Sequence, residues 1–214
     1  MIIGVCGLIG AGKDTIADYL VNFHEFKRDS FAGTLKDAVA AVFGWDRELL
    51  EGRTKEARAW REQVDPWWAD RLSMPNLTPR LVLQLWGTEV ARRAFHDDTW
   101  IASLENKIRS SRDDIVISDC RFPNEIAAIR RAGGAVIRVV RGPEPEWFEL
   151  AVESNAGTFN HMLTAYPEVH ASEYAWAGTE FDAVVENNGS IAELYDQIKS
   201  LVTNLQAARA NLTS

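Results

Sequence analysis

Cysteine is scarce in this chain: Cys6 and Cys120 are the only two among 214 residues. Two cysteines so far apart build no disulfide framework and have no metal-ligand spacing, so a reducing, cytoplasmic compartment is expected. The four histidines show neither i,i+4 nor Cys pairing, which excludes a zinc site of the usual kind. No apolar run reaches the length of a membrane span. The N-terminus, Met1-Ile2-Ile3-Gly4-Val5-Cys6-Gly7, also lacks a basic region and a cleavage site, so no membrane partner is expected. Positive charge is in deficit too: 23 Lys and Arg against 31 Asp and Glu leave a net charge of −8. That balance excludes a long nucleic acid as the main partner, whereas free nucleotides need only a few focused cations. Repeats and low-complexity tracts are absent.

What is present alternates in period. Ile2 to Cys6 is a short apolar run that ends in a glycine turn, and Ile16, Ala17, Tyr19, Leu20 and Phe23 then recur with helical spacing. An extended stretch from Phe26 to Phe31 leads into a second helical pattern that Gly44 ends. Residues 45–78 hold four tryptophans and several arginines with no strand signal, and read as a helical insertion or lid. Pro79 suits the first turn of a helix running through Ala91, and Thr99 to Ser110 form another. Asp114 to Asp119, Ala135 to Val140 and Asp182 to Glu186 read as buried strands, with a helix from Asn124 to Ala132 between the first two. Pro143 to Gly178 is poorly patterned: a helix near Glu146 to Glu153, then a mixed stretch suited to a loop or lid at about 142–178. Ser190 and Glu193 form a capping box for a closing helix, and residues 208–214 read as a frayed tail. The sum is an α/β fold with a parallel sheet covered on both faces and ligands at the carboxyl ends of its strands. It reads as one domain over residues 1–207.

The turn Gly7-Leu8-Ile9-Gly10-Ala11-Gly12-Lys13 has Walker A spacing between a buried strand and a helix N-terminus, where the mechanism of phosphate binding needs it. Backbone N–H groups from Gly7, Ile9, Gly10, Ala11 and Gly12 would face phosphates, and Lys13 would reach the β- and γ-phosphates of ATP bound with Mg²⁺. Asp14 stands where a Ser or Thr usually ligates the metal, and Thr15 follows. Either Asp14 approaches Mg²⁺, directly or through water, or it only favours the helix N-terminus while Thr15 contacts a phosphate.

A second group gathers at the end of the Asp114 strand. Asp119 suits a Walker B carboxylate, and Arg121 and Asn124 follow it closely as contacts for an acceptor. The alternative makes Asp119 a helix-entry residue and Arg121 a surface charge. Gln84, Trp86, Gly87 and Arg92 form an amide, stacking face and cation suited to a base and its 5′-phosphate, unless Trp86 is plain core. Phe31 and Lys36 could face the acceptor, as could Glu173 in His170-Ala171-Ser172-Glu173. Arg141, just past the third of the longer strands, could act from a lid on the transferring phosphate. Asn188 follows the last strand, where its backbone flanks an adenine or merely makes a turn.

Six motifs taken in order resemble the deoxynucleoside monophosphate kinases of tailed bacteriophages. They are Gly-x-x-Gly-Ala-Gly-Lys-Asp-Thr from Gly7, Ser-Phe-Ala-x-x-Leu-Lys from Ser30, Leu-Gln-x-Trp-Gly-Thr-Glu from Leu83, Ser-Asp-x-Arg-Phe-Pro-Asn-Glu from Ser118, His-x-Ser-Glu from His170 and Asn-Asn-Gly-Ser from Asn187. The resemblance implies an adenylate-kinase-like, three-layer P-loop NTPase fold with helical insertions, ATP and Mg²⁺, and phosphorylation of dNMP to dNDP by a monomer or homodimer. For a phage-encoded chain the compartment would be the host cytoplasm. By the same resemblance Lys13 contacts the transferring phosphate, Asp119 holds the strand-end acidic position, and Arg121 and Trp86 belong to motifs around the acceptor. The remaining alternatives are another small-molecule P-loop kinase resembling dephospho-CoA kinase, or a noncatalytic nucleotide-binding regulator. The latter lacks support from any Asn-Lys-x-Asp signature.

Overall fold

β1 (Ile2–Cys6) is buried at every residue, which is why its sequence shows no alternation: helices cover both faces. A computed structural model describes residues 1–157 and 159–212, and within it the chain divides into two compact units. The first comprises Met1–Ser30 with Lys107–Ser214, and the second Phe31–Asn106.

The first unit is built on a five-stranded parallel sheet in the order β2-β3-β1-β4-β5, with β2 at Lys27–Asp29, β3 at Ile115–Ile117, β4 at Ala135–Val140 and β5 at Ala183–Glu186. β1 is central, and the chain places β2 and β3 on one side of it before β4 and β5 on the other. The end of β1 is therefore the switch point at which such sheets open a crevice for ligands. α1 (Lys13–His24) and α12 (Ile191–Leu212) bury Ile16, Leu20, Leu194, Ile198 and Val202 with Ile3, Val5, Val116, Ile137 and Val139 of the strands. α8 (Pro123–Arg131) packs on β1 and β4. These helices and the sheet make the α/β architecture of a P-loop NTPase. α12 begins at the expected cap: the Glu193 carboxylate accepts from the Ser190 N–H at 2.7 Å, and Ser190 Oγ accepts from the Glu193 N–H. It then runs past Ala207 to Leu212, so residues 208–212 are helical where a frayed tail was expected; residues 213 and 214 lie outside the described residues.

The poorly patterned segment after β4 is helical as well, with α9 at Phe148–Ala156, α10 at Met162–Ala165 and α11 at Ala171–Tyr174. It carries its own small core of Ala151, Met162, Tyr174 and Ala177. Helices this short have no clean period, so their order comes from that core and not from local propensity.

The second unit is all helical: α2 (Gly33–Phe43), α3 (Arg47–Glu51), α4 (Lys55–Arg61), α5 (Pro66–Arg71) and α6 (Pro79–Gln84) precede a π-helical stretch from Leu85 to Phe95. The expected single helix through Ala91 thus changes its hydrogen bonding at Leu85, and His96 N–H closes the stretch on the Ala91 carbonyl, five residues back. α7 (Thr99–Ser110) follows. Asp46, Thr54, Asp65 and Thr78 each cap a helix with a side-chain oxygen, which explains how five-to-seven-residue helices persist. The tryptophans are mainly packing: Trp45 stacks on Phe43 at 4.6 Å, while Trp45 and Trp68 donate their indole N–H groups to Asp65 and the Phe43 carbonyl.

Glu51 links this unit by charge. It accepts from Lys36 at 2.8 Å and Arg47 at 2.6 Å. Burial raises its pKa, but the two hydrogen-bonded cations outweigh burial and bring it down from 4.5 to about 2. A carboxyl with a depressed folded pKa contributes stability that is full above the unfolded value and is lost as pH falls through the folded one. Glu51→Gln is therefore expected to cost on the order of 1–2 kcal/mol near pH 7, allowing for partial solvent screening, and almost nothing near pH 2. Urea midpoints of both proteins across that range check this, and a constant gap would refute it.

Candidate active site

The cradle lies wholly in the first unit, between β1 and α1. Gly7, Gly10 and Gly12 adopt φ of 146°, 77° and 110°, which L side chains rarely tolerate. Two of them are also tightly packed: a Cβ on Gly7 would overlap the Val139 carbonyl oxygen, and one on Gly12 would overlap Asn187 Nδ2. Asn187 is therefore a brace that sequence reading missed. Its Nδ2 donates to the Ala11 carbonyl at 2.8 Å, and its own N–H donates to the Val140 carbonyl, tying the phosphate turn to the end of β5. Ile9 stands exposed at the loop tip, while Ala11 is buried and its N–H is bonded to the Leu8 carbonyl at 3.2 Å.

Lys13 folds back over this turn, its Nζ donating to the Gly7 carbonyl at 2.8 Å and the Leu8 carbonyl at 2.9 Å. Burial lowers its pKa, and the nearby Arg121 guanidinium lowers it further. A buried ammonium at a glycine-rich turn, with the charge of a second cation acting on it, fits an anionic ligand, since a phosphate removes the repulsion between the two cations. The turn fits phosphates on this ground.

Arg121 reaches that position through a second convergence. Its Nη1 donates to Glu173 at 2.6 Å and to Ser172 Oγ at 3.3 Å, both on α11. The loop beneath it is pinned by buried Glu125, which accepts from the N–H groups of Arg121 at 2.8 Å and Phe122 at 3.1 Å. Glu125 is thus the structural member of its motif. Asn124 spends its Oδ1 on the Glu125 N–H at 3.0 Å. α11 itself belongs to a segment held by Arg138 of β4, whose guanidinium pairs with Glu144 and lies 4.7 Å from the Phe148 ring centroid and 5.1 Å from that of Trp176.

Asp14 is exposed at the start of α1 and is held by Arg28 of β2, which also donates to Asp18 and to Ser118 Oγ, each at 2.8 Å. Ser118 Oγ in turn donates to Asp14 at 3.2 Å. The strand ends at Ile117, so Asp119 stands two residues beyond it and not at its last position. Among the described residues no group of three or more His, Cys, Asp or Glu is placed to hold a metal ion. A divalent cation here would depend on phosphate oxygens and water with one or two carboxylates, which is the usual manner of Mg²⁺. Asp14 and Asp119 fit that limited role.

The other expected contacts are dispersed. Asn188 accepts from the Gly142 N–H at 2.7 Å and so shapes the exit of β4, and Arg141 beside it is exposed. Thr15 is half-buried. In the second unit Phe31 is buried, Lys36 is paired with Glu51, Gln84 is exposed and Arg92 is half-buried. Trp86 lies edge-on to Phe43 at 5.6 Å, and the Gly87 carbonyl accepts from the Trp100 indole at 2.9 Å, so these two take part in packing.

No family model matches the chain. Over 219 residues it is 29% identical to a protein of Acanthamoeba polyphaga mimivirus named as a deoxynucleotide monophosphate kinase, covering 95% of this chain and 97% of that one. It is 27% identical over 179 residues to the deoxynucleoside-5′-monophosphate kinase of Escherichia phage T5, covering 61% and 72%. Among solved structures, TT1252 from Thermus thermophilus aligns with a TM-score of 0.44 at 20% identity, covering 96% and 97%. No helix among the described residues is long and apolar enough to cross a membrane. In fold and sequence the chain is a P-loop phosphotransferase related to the viral deoxynucleoside monophosphate kinases.

Proposed function

We propose that this chain phosphorylates deoxynucleoside monophosphates, transferring the γ-phosphate of ATP to dNMP and releasing dNDP and ADP. The observation that carries the reading is the Lys13 ammonium folded over the glycine turn onto the Gly7 and Leu8 carbonyls, with Arg121, held by Glu173 and Ser172, near enough for its charge to depress the Lys13 pKa. It joins three of the motifs that resemble the phage kinases: the Gly7 turn, the Ser118 strand end and the His170 segment.

The reaction needs no covalent enzyme intermediate and no general base, because the phosphate oxygen of a monophosphate is already a nucleophile at neutral pH. The chain's task is to align the two phosphates and neutralise charge. Backbone amides of the turn from Gly7 to Gly12 cradle the β- and γ-phosphates, that of Ala11 by leaving the Leu8 carbonyl, while Lys13 leaves its two carbonyl partners for the γ-phosphate. Arg121, aimed by Glu173 and Ser172, supplies a second cation to the equatorial oxygens, and Arg141 is assigned to the same charge from the lid. Mg²⁺, when bound, would draw charge from the β- and γ-oxygens. Asp14 and Asp119 would hold its water shell. Thr15 is assigned to a phosphate, and Asn188 to the border of the adenine.

Phe31, Lys36, Gln84, Trp86, Gly87, Arg92, Asn124 and Glu173 are assigned to the acceptor. We further assign residues 1–207 to one working kinase domain, with the stretch at about 45–78 as a helical insertion and that at about 142–178 as its lid. Its substrates are ATP and free mononucleotides in the cytoplasm.

ADP release from ATP·Mg²⁺ in the presence of dAMP, dGMP, dCMP, dTMP or dephospho-CoA, with products separated by chromatography, tests the reading. At least one dNMP is expected to stimulate turnover and appear as dNDP. Stimulation by dephospho-CoA alone would move the chain to the other class of small-molecule kinase, and slow hydrolysis unaffected by every acceptor would favour a nucleotide-binding regulator.

A further inference from the structure

β4 reads Ala-Val-Ile-Arg-Val-Val, and its charged residue, Arg138, is set between Cys6 of β1 and Val184 of β5 in an otherwise apolar inner strand. The transfer reading gives it no role. Its side chain is 18% exposed, and Nε is buried with no acceptor among the described residues. A guanidinium here costs desolvation that an aliphatic side chain would avoid, so a need for packing alone does not explain it.

What the guanidinium meets is the two stems of one segment. Nη2 donates to Glu144, and Cζ lies 4.7 Å from the centroid of the Phe148 ring; both residues belong to the stretch that follows β4 directly. The Trp176 ring centroid, 5.1 Å away, comes from the far end of that stretch, just after α11. Phe148 and Trp176 also approach each other at 5.7 Å, and Trp176 is buried. One cation thus gathers the entry and the exit of the chain that runs through α9, α10 and α11. Inside the stretch, Asn155 Nδ2 of α9 donates to the carbonyls of Tyr174 and Ala177 at 2.8 and 2.9 Å, so α11 follows wherever the stems are held.

The stretch needs such an anchor. It leaves β4 at Gly142 and ends at Gly178, two left-handed glycines with φ of 69° and 81°, and turns of this kind set no orientation for the helices between them. α11 carries Ser172 and Glu173, the groups that hold Arg121. They can aim Arg121 only if α11 is itself fixed from elsewhere. A planar, charged fork fixes one geometry where an aliphatic side chain would fill space without direction.

We propose that Arg138 is a positioning residue for phosphate transfer: it clasps both stems of residues 142–178 and so fixes α11, through which Ser172 and Glu173 aim the Arg121 guanidinium. That Arg121 serves the transferring phosphate rests on the kinase reading above.

The test uses the full chain with labelled arginine side chains, the Arg121 Nε–Hε resonance being assigned by its loss in Arg121→Ala. In Arg138→Met, which keeps the stem and loses the charged plane, this resonance is expected to move toward that of a solvent-exposed arginine. With the dNMP phosphorylated best, kcat is expected to fall at least about tenfold, while KM for ATP changes by less than about threefold. In an Arg121→Ala background, where the residual rate is followed by transfer of radioactive phosphate, the same substitution is expected to cost almost nothing further, because its effect runs through Arg121. Glu144→Gln removes an exposed partner without threatening the fold, and is expected to act in the same direction by a smaller factor. An equal loss of kcat with and without Arg121 would assign Arg138 to packing and overturn the proposal, as would an Arg121 resonance unmoved in both variants. A moved resonance in a chain that phosphorylates no dNMP would keep Arg138 as the anchor of Arg121 and overturn the kinase reading instead.

Discussion

Lys13→Ala is expected to lower kcat roughly 10³-fold or more while the protein remains folded. In this structure the ammonium makes only two local contacts, with the carbonyls of Gly7 and Leu8, and both can pass to water when the side chain is removed. Its loss should therefore cost little stability. The loss in turnover is large because a charge fixed beside the γ-phosphate acts most strongly in the transition state, and Arg121 cannot replace it while held by Glu173 and Ser172. Steady-state rates with circular dichroism and a thermal melt on the same sample check the claim. Unimpaired turnover in a folded variant would overturn the phosphate-transfer reading.

Gly7→Ala should fail in a different way, by losing stability as well as turnover. The new methyl group would meet the Val139 carbonyl oxygen, which is backbone of a strand paired with β1 through Val5↔Ile137 and Cys6↔Arg138. Neither partner can retreat without opening that pairing, and φ of 146° adds strain of its own. A cost of about 3 kcal/mol or more is expected. Gly10→Ala is the control, because its φ of 77° carries strain but nothing lies within 4 Å of the added Cβ. Only about 1 kcal/mol is expected there. Denaturant midpoints of the two variants give the comparison, and equal losses would show that packing against Val139 does not decide the geometry of the turn.

The elements that could be read in the sequence were those with a local cause. The β1 run and the glycine turn, the Gly44 stop, the Ser190–Glu193 cap and Ala135–Val140 are each specified within a few residues, and each stands where the pattern placed it. The helix read near Glu146 to Glu153 stands as α9, whereas the π-helical stretch after Leu85 and the four-residue helices α10 and α11 were not legible, since their hydrogen bonding follows from packing and not from period. At the site, Lys13 and Arg121 were visible as motif members. The hold of Glu173 and Ser172 on Arg121 was not.

The sequence by itself determined the chemistry on offer: a glycine-rich turn after a buried strand, a lysine at its end, and separate groups of arginine, aspartate and amide at later strand ends. Tertiary structure alone decided which of these became neighbours. Asn187 braces Ala11, Arg28 reaches Asp14 and Ser118, Arg121 takes Ser172 and Glu173, and each pairing except Arg28 with Asp14 spans 51 residues or more of chain. The reason is physical. Local propensity and period act over a few residues, whereas partners across a parallel sheet are chosen by strand order, and strand order is settled by how the apolar faces of distant helices and strands are buried together.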